Sequence, residues 1–268
     1  MIFAPASITC IFCPEVSEDP LNSGSIGVGF TINMGVYAER GNGIEVNDEK
    51  RDFPTVEYVL RKLGLPGVKI YSDLPFGCGF GLSGASALTT AFLADYPAVE
   101  LADIAHEAEV VNLTGLGDVV TQTFGGIVVR KNARCPSRAV VEKYTWKCEL
   151  DFVVLGEIKT KSVIGDEVKR QKMSKAGKKW TKEFMRRPTL DNLFKCSNSF
   201  ARETGLMDFV SDVIEAVESC GGKAAMAMLG KTVFTLNGFE ALKEFGEPFR
   251  ARIDCCGVRR VESGSDPV

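Results

Sequence analysis

Asp118 closes the run Thr114-Gly115-Leu116-Gly117-Asp118, an aspartate flanked by glycines and preceded by Glu107 and Glu109. A carboxylate held tightly in this way can ligate a cation or take a proton from an alcohol. A second segment, from Leu74 to Leu88, carries glycines at 77, 79, 81 and 84 and serines at 83 and 86, and leads into an alanine-rich helical stretch. Glycines let backbone N–H groups approach an anion closely, and the following helix aims its unpaired donors and positive dipole end at the same place. A cradle, a metal ligand and a group that orients a nucleophile are the parts phosphoryl transfer needs. Each part also has a plainer reading. The loop can be a glycine-rich turn, Ser83 a helix cap, Asp118 a turn former and Glu109 a solvated helix residue.

Two familiar phosphate motifs do not fit the spacing. A Walker loop ends in Gly-Lys-[Ser/Thr], and there is no lysine between Lys69 and Lys131. Gly79-Phe80-Gly81-Leu82-Ser83-Gly84 matches G-x-G-x-x-G, but a lone match to that pattern is weak.

Composition narrows the class. The chain has 268 residues and a mean hydropathy of +0.03, enough for two compact lobes sharing a cleft. Apolar runs are broken well short of a membrane span and Met1-Ile2-Phe3-Ala4-Pro5 lacks a signal-peptide pattern, so a cytoplasmic protein with no membrane partner is expected. A net charge of −3 offers nucleic acid no overall attraction. Lys159 to Arg187 is locally basic, which reads as a solvated helix face. Nine cysteines, an odd number, argue for reduced thiols rather than a disulfide framework. Cys10 and Cys13 form one C-x-x-C, but His106 is the single histidine and no second pair completes a zinc site. His106 itself reads as a surface or capping residue.

These residues need elements to position them. Alternation predicts strands over residues 1 to 13 and from Gly27 to Arg40, with Gly41-Asn42-Gly43 as a hairpin signal. Val56, Val59, Leu60 and Leu63 give a helix face from Pro54 to Leu63, and Val68 to Tyr71 is a strand entering the glycine-rich loop. Helices follow at Ser83 to Ala94 and Val99 to Val111, then strands at Gly125 to Arg130 and Ala139 to Tyr144. A second lobe is expected from about Trp146, with strands at Leu150 to Leu155, Ala224 to Leu229, Thr232 to Leu236 and Phe249 to Asp254. Its helices are expected at Asp166 to Met185, Leu190 to Glu203, Met207 to Ser219 and Phe239 to Phe245. This order is α+β rather than strict βαβ alternation.

Taken together, the two glycine-rich segments resemble the GHMP kinase superfamily. Its loop Pro-x-x-x-Gly-Leu-Gly-Ser-Ser-Ala-Ala is similar to Pro75, Gly79-Phe80-Gly81 and Leu82-Ser83-Gly84-Ala85, and its glycine-flanked aspartate to Gly115-Leu116-Gly117-Asp118 before Gly125-Gly126. Within the superfamily, Ala4-Pro5-Ala6-Ser7-Ile8-Thr9, Gly24-Ser25-Ile26-Gly27-Val28-Gly29, Thr114 to Val119 and Ala225-Met226-Ala227-Met228-Leu229-Gly230 resemble the archaeal pantoate kinase family. The resemblance implies a two-lobed fold, with a ribosomal protein S5 domain 2-like ATP-binding lobe over residues 1–145 and an α/β-plait-like lobe over 146–268. It also implies ATP and Mg²⁺, pantoate as the small-molecule acceptor, and permits a homodimer.

Carried over residue by residue, the resemblance makes Asp118 catalytic and gives the phosphates to Gly77, Gly79, Phe80, Gly81, Leu82, Ser83, Gly84 and Ala85. The metal goes to Ser83 with Glu109, Glu107 being the rival, since residues two apart on a helix point in different directions. Ser7, Thr9, Ser25 and Arg40 are expected at the acceptor, whose carboxylate wants hydroxyl, N–H or guanidinium donors. Two departures stand out. Mevalonate kinase has a lysine where Ser7 stands, so Asp118 is expected to lack that pKa-lowering neighbour, and the third superfamily motif is reduced to Gly221-Gly222-Lys223-Ala224-Ala225-Met226. Other GHMP acceptors, mevalonate, homoserine or shikimate, remain alternatives, as does a non-catalytic nucleotide-binding protein.

Overall fold

The computed structural model describes residues 1–157 and 167–262. In chain order the strands are β1 (Ile2–Glu15), β2 (Gly24–Arg40), β3 (Gly43–Val46), β4 (Glu49–Lys50), β5 (Gly67–Ser72), β6 (Ile127–Arg130), β7 (Val141–Tyr144), β8 (Glu149–Gly156), β9 (Lys223–Ala227), β10 (Lys231–Leu236), β11 (Phe249–Arg252) and β12 (Arg259–Arg260). The helices are α1 (Pro54–Leu63), α2 (Leu82–Ala91), α3 (Ala98–Asn112), α4 (Asp118–Phe124), α5 (Glu167–Arg186), α6 (Leu190–Thr204), α7 (Ser211–Ser219) and α8 (Phe239–Leu242).

Two long strands set the frame. β1 and β2 pair antiparallel along their lengths, with register breaks at Pro5/Ala6 and Thr9/Ile11. Breaks of this kind tolerate a proline and bend the pair. β2 then serves two neighbours, pairing with β6 over Gly27 to Phe30 and with β5 over Val36 to Arg40. The first sheet therefore runs β12-β1-β2-β5-β3-β4, with β6 beside β2 and β7 beside β6. A second, antiparallel sheet runs β11-β8-β10-β9. The chain leaves the first sheet after Tyr144, enters the second at Glu149 and returns through β12 to pair with β1.

α2 is buried almost throughout, which its small residues allow: Gly84, Ala85, Ser86, Ala87, Thr89, Thr90 and Ala91 let it sit close to the strands. The hydroxyls of Ser86, Thr89 and Thr90 stay paired inside the helix, Ser86 Oγ donating to the Leu82 carbonyl at 2.7 Å and Thr90 Oγ1 to that of Ser86 at 2.7 Å. Aromatic rings join the sheets beneath the site. Phe30 of β2 meets Phe234 of β10 at 5.2 Å, Phe249 stacks on Phe152 at 5.3 Å, and Phe80 of the glycine-rich loop lies 6.2 Å from Phe249.

Several sequence expectations are corrected. Gly41-Asn42-Gly43 does turn the chain, but β5 lies between β2 and β3, and the local hairpin is β3–β4. The signal for that hairpin was Asn47-Asp48, whose φ of 50 and 66° suit two-residue turns. Met207 to Ser219 is not one helix: a 3₁₀ turn at Met207–Phe209 precedes α7, with Val210 at φ −144° between them. β4, α4 and β12 were not expected, being too short to show a period. Lys159 and Asp166, where the basic segment and an expected helix begin, lie outside the described residues. Within α5, Lys178 pairs with Glu15, and Lys179 with Glu203, each at 2.7 Å on an exposed face. Among the described residues, no helix is long and apolar enough to cross a membrane.

The aromatic join gives a direct stability test. Phe234→Ala should cost about 3–5 kcal/mol, as for a large ring removed from a packed core. Urea unfolding measures it; a loss typical of a surface substitution would show that the sheets are held together elsewhere.

Candidate active site

The glycine-rich loop is fastened from both lobes. Ser7 N–H donates to the Phe80 carbonyl at 2.9 Å, and Thr232 Oγ1 to the Cys78 carbonyl at 2.7 Å. The turn Met228-Leu229-Gly230 between β9 and β10 sits against it: a Cβ on Gly79 would lie 3.0 Å from Gly230 Cα. Gly81 is left-handed at φ 60°, and a Cβ there would come within 2.9 Å of Asp118 Cγ, so loop and aspartate touch only because Gly81 has no side chain. Phe80 and Leu82 belong to the cradle by their backbones, since both side chains are buried.

Asp118 begins α4. Its Oδ1 accepts from Ser7 Oγ at 3.0 Å and Thr9 Oγ1 at 3.4 Å. Beside it lies Arg130, the last residue of β6, whose side chain is completely enclosed. Arg130 Nε donates to the Ser25 carbonyl at 2.9 Å and Nη1 to Thr121 Oγ1 at 2.6 Å, while Nη2 has no partner among the described residues. Burial raises the Asp118 pKa, the largest influence, and the Arg130 charge with the Ser7 and Thr9 hydroxyls pulls it back.

Glu109 lies on the inner face of α3, 2% exposed. Its Oε1 accepts from Ser83 Oγ at 2.6 Å and Thr114 Oγ1 at 2.7 Å, and Thr55 Oγ1 lies 3.2 Å from Ser83 Oγ. Burial pushes the Glu109 pKa up to about 7; the two hydroxyls oppose that and the Asp118 charge adds to it. Ser83 and Glu109 are adjacent hard oxygen donors, the chemistry Mg²⁺ takes when it also keeps waters and phosphate oxygens. Among the described residues, no group of three or more His, Cys, Asp or Glu could form an all-protein metal cage.

The structure therefore brings together Ser7, Thr9, Ser25, Gly77 to Ala85, Glu109 and Asp118. It does not bring in Glu107, which faces α1 and pairs with Lys62 at 3.2 Å. Nor does it bring in Arg40, at the far end of β2 from Ser25, where its guanidinium donates to the Leu93 carbonyl at 3.0 Å. His106 is buried rather than on the surface, its Nε2 2.9 Å from the Ser23 carbonyl, and burial lowers its pKa. Gly222 packs against Val217 and Asn237, so the Met228–Gly230 turn, not the Gly221-Gly222 pair, meets the loop. Sequence reasoning missed Arg130, Thr55 and Thr114. Thr114 stood in the run that leads to Asp118 but was given no role, and Arg130 left the signal of a charge ending the otherwise apolar Ile127-Val128-Val129 run.

Residues 51–126 match the GHMP kinases N terminal domain. The chain is 34% identical to the pantoate kinase of Methanocaldococcus jannaschii, over 91% of this chain and 94% of that one. It is 34% identical to the pantoate kinase of Thermococcus kodakarensis, over 87% and 86% of the two chains. The chain belongs to the pantoate kinase family of GHMP kinases. A solved phosphotransferase described as related to the CoA biosynthesis pathway superposes with a TM-score of 0.84 at 28% identity, covering 97% of this chain and 98% of that one. Mevalonate-3-kinase from Thermoplasma acidophilum shares the fold, with a TM-score of 0.60 at 12% identity over 97% and 98% of the chains.

Glu109 also makes stability depend on pH. Its folded pKa of about 7 lies above the ordinary 4.5, so between those values the folded state holds a proton that the unfolded state releases. Without divalent cations, stability should fall as pH rises through that window. Glu109→Gln should remove the effect and be the more stable form by about 3 kcal/mol once pH exceeds the folded pKa. Denaturant unfolding on both sides of the window measures this; parallel pH dependences in the two proteins would contradict it.

Proposed function

We propose that this enzyme transfers the γ-phosphoryl group of ATP to the 4-hydroxyl of (R)-pantoate, giving 4-phosphopantoate for coenzyme A synthesis. The observation that carries the proposal is the pocket beside Asp118, which Arg130 and an apolar wall of Phe12, Pro14, Met228 and Leu229 line together. Pantoate has matching parts: a carboxylate for Arg130, two methyl groups for the wall and a primary hydroxyl for Asp118. Residues 1–145 then form the ATP-binding unit, and residues 146–268 complete the cleft through Met228–Gly230.

In this reading the N–H groups of the loop and of the first turn of α2 receive the phosphates. Ser83 and Glu109 would hold Mg²⁺, whose charge would offset that of the phosphate oxygens. Asp118 orients the 4-hydroxyl toward the γ-phosphorus and takes its proton as the new O–P bond forms and the bond to the ADP oxygen breaks. Its environment serves that role. Burial makes Asp118 more basic than a surface carboxylate, and Arg130 favours the charged form that can accept a proton.

An acceptor panel tests the proposal. With ATP and Mg²⁺, pantoate should be turned over in preference to mevalonate, homoserine and shikimate. The analogue 2,4-dihydroxybutanoate, which lacks both methyl groups, should lose on the order of tenfold or more in kcat/KM. Rapid phosphorylation of another alcohol with none of pantoate would overturn the assignment.

A further inference from the structure

Gln122 lies one helical turn beyond Asp118 on α4 and is completely buried. Its Nε2 donates to the Gly81 carbonyl at 2.9 Å, the same carbonyl that accepts the first bond of α2 from Ala85 N–H at 3.1 Å. Its Oε1 has no partner among the described residues. Stability alone would favour an apolar side chain of similar volume here, because an unpaired buried carbonyl oxygen is costly. What the amide supplies, and a leucine would not, is a donor to Gly81.

Gly84 completes the arrangement. A Cβ at that position would lie 3.0 Å from Gln122 Oε1 and 3.2 Å from Val119 Cγ2, closer than side chains normally sit. Gly84 stands where the loop signature above carries alanine, so the missing methyl leaves the room that the Gln122 amide fills. We infer that Gln122 is a positioning residue that locks the phosphate cradle to the helix carrying Asp118, and that Gly84 is glycine in order to seat it. The lock acts through Gly81. With that carbonyl held toward α4, the N–H groups at the start of α2 are set toward the pocket before any anion arrives. A nucleotide then meets a cradle already in register with Asp118.

This inference rests on the kinase reading, and its test separates the two. Gln122→Met keeps the volume and removes the donor; ATP Kd by calorimetry, the KM values for ATP and pantoate, and the thermal midpoint are compared with wild type. The variant should weaken ATP binding about tenfold while the pantoate KM and the midpoint stay close to wild type, the loss expected for one buried hydrogen bond. A purely structural role would lower the midpoint and leave the ATP Kd in place. Gly84→Ala then supplies a cycle: it should weaken ATP binding in the wild-type background and have little effect beside Gln122→Ala. Unchanged ATP affinity in Gln122→Met, or independent effects of the two substitutions, overturns the lock. Failure of the wild-type protein to bind ATP overturns the kinase reading on which it rests.

Discussion

Arg130 carries a full positive charge into a place that solvent scarcely reaches, and much of the site is arranged around that charge. An uncompensated charge there would cost several kcal/mol. Asp118 supplies the opposite charge, and Ser25 and Thr121 take two of the donors. Gly117 leaves room for the guanidinium: a Cβ there would lie 2.9 Å from Arg130 Cζ.

The same charge bears on how Asp118 can work. Burial by itself would drive its carboxyl toward the neutral form, unable to accept a proton. Arg130, Ser7 and Thr9 counter that, each from a different strand or strand position. Glu109 has no such cation acting on it among the described residues, and burial carries its pKa up to about 7. The aromatic contacts under the loop hold both lobes to this arrangement, because Phe80 is at once part of the cradle and part of the join.

Much of this was legible in the sequence because the signals are local. The glycines from 77 to 84, the Ser83 hydroxyl and the Gly115-Leu116-Gly117-Asp118 turn lie within single segments, and the structure gathers them in one cleft. The choice between Glu107 and Glu109 was not local. It depended on which face of α3 meets α2, and hence on Ser83 and Thr114 closing on one carboxylate and Lys62 on the other. Arg130 was missed for a similar reason. The lysine that mevalonate kinase carries at the place of Ser7 is absent, but β6 pairs with β2 so that Arg130 stands opposite Gly27 and brings a cation from another strand. Arg40 was misplaced because its chemistry suited the acceptor while its position, fifteen residues along β2 from Ser25, did not.

The central claim is that Asp118, held by Ser7 and Thr9 beside the Arg130 charge, handles the proton of the attacking hydroxyl rather than building the nucleotide site. The most direct measurement is single-turnover phosphorylation of pantoate by Asp118→Asn alongside its ATP affinity, since asparagine keeps the shape and cannot take the proton. The account predicts that the chemical step slows by about two to four orders of magnitude, the usual contribution of a positioned general base, while ATP affinity stays near that of wild type. Turnover at the wild-type rate, or loss of ATP binding in step with turnover, would contradict it.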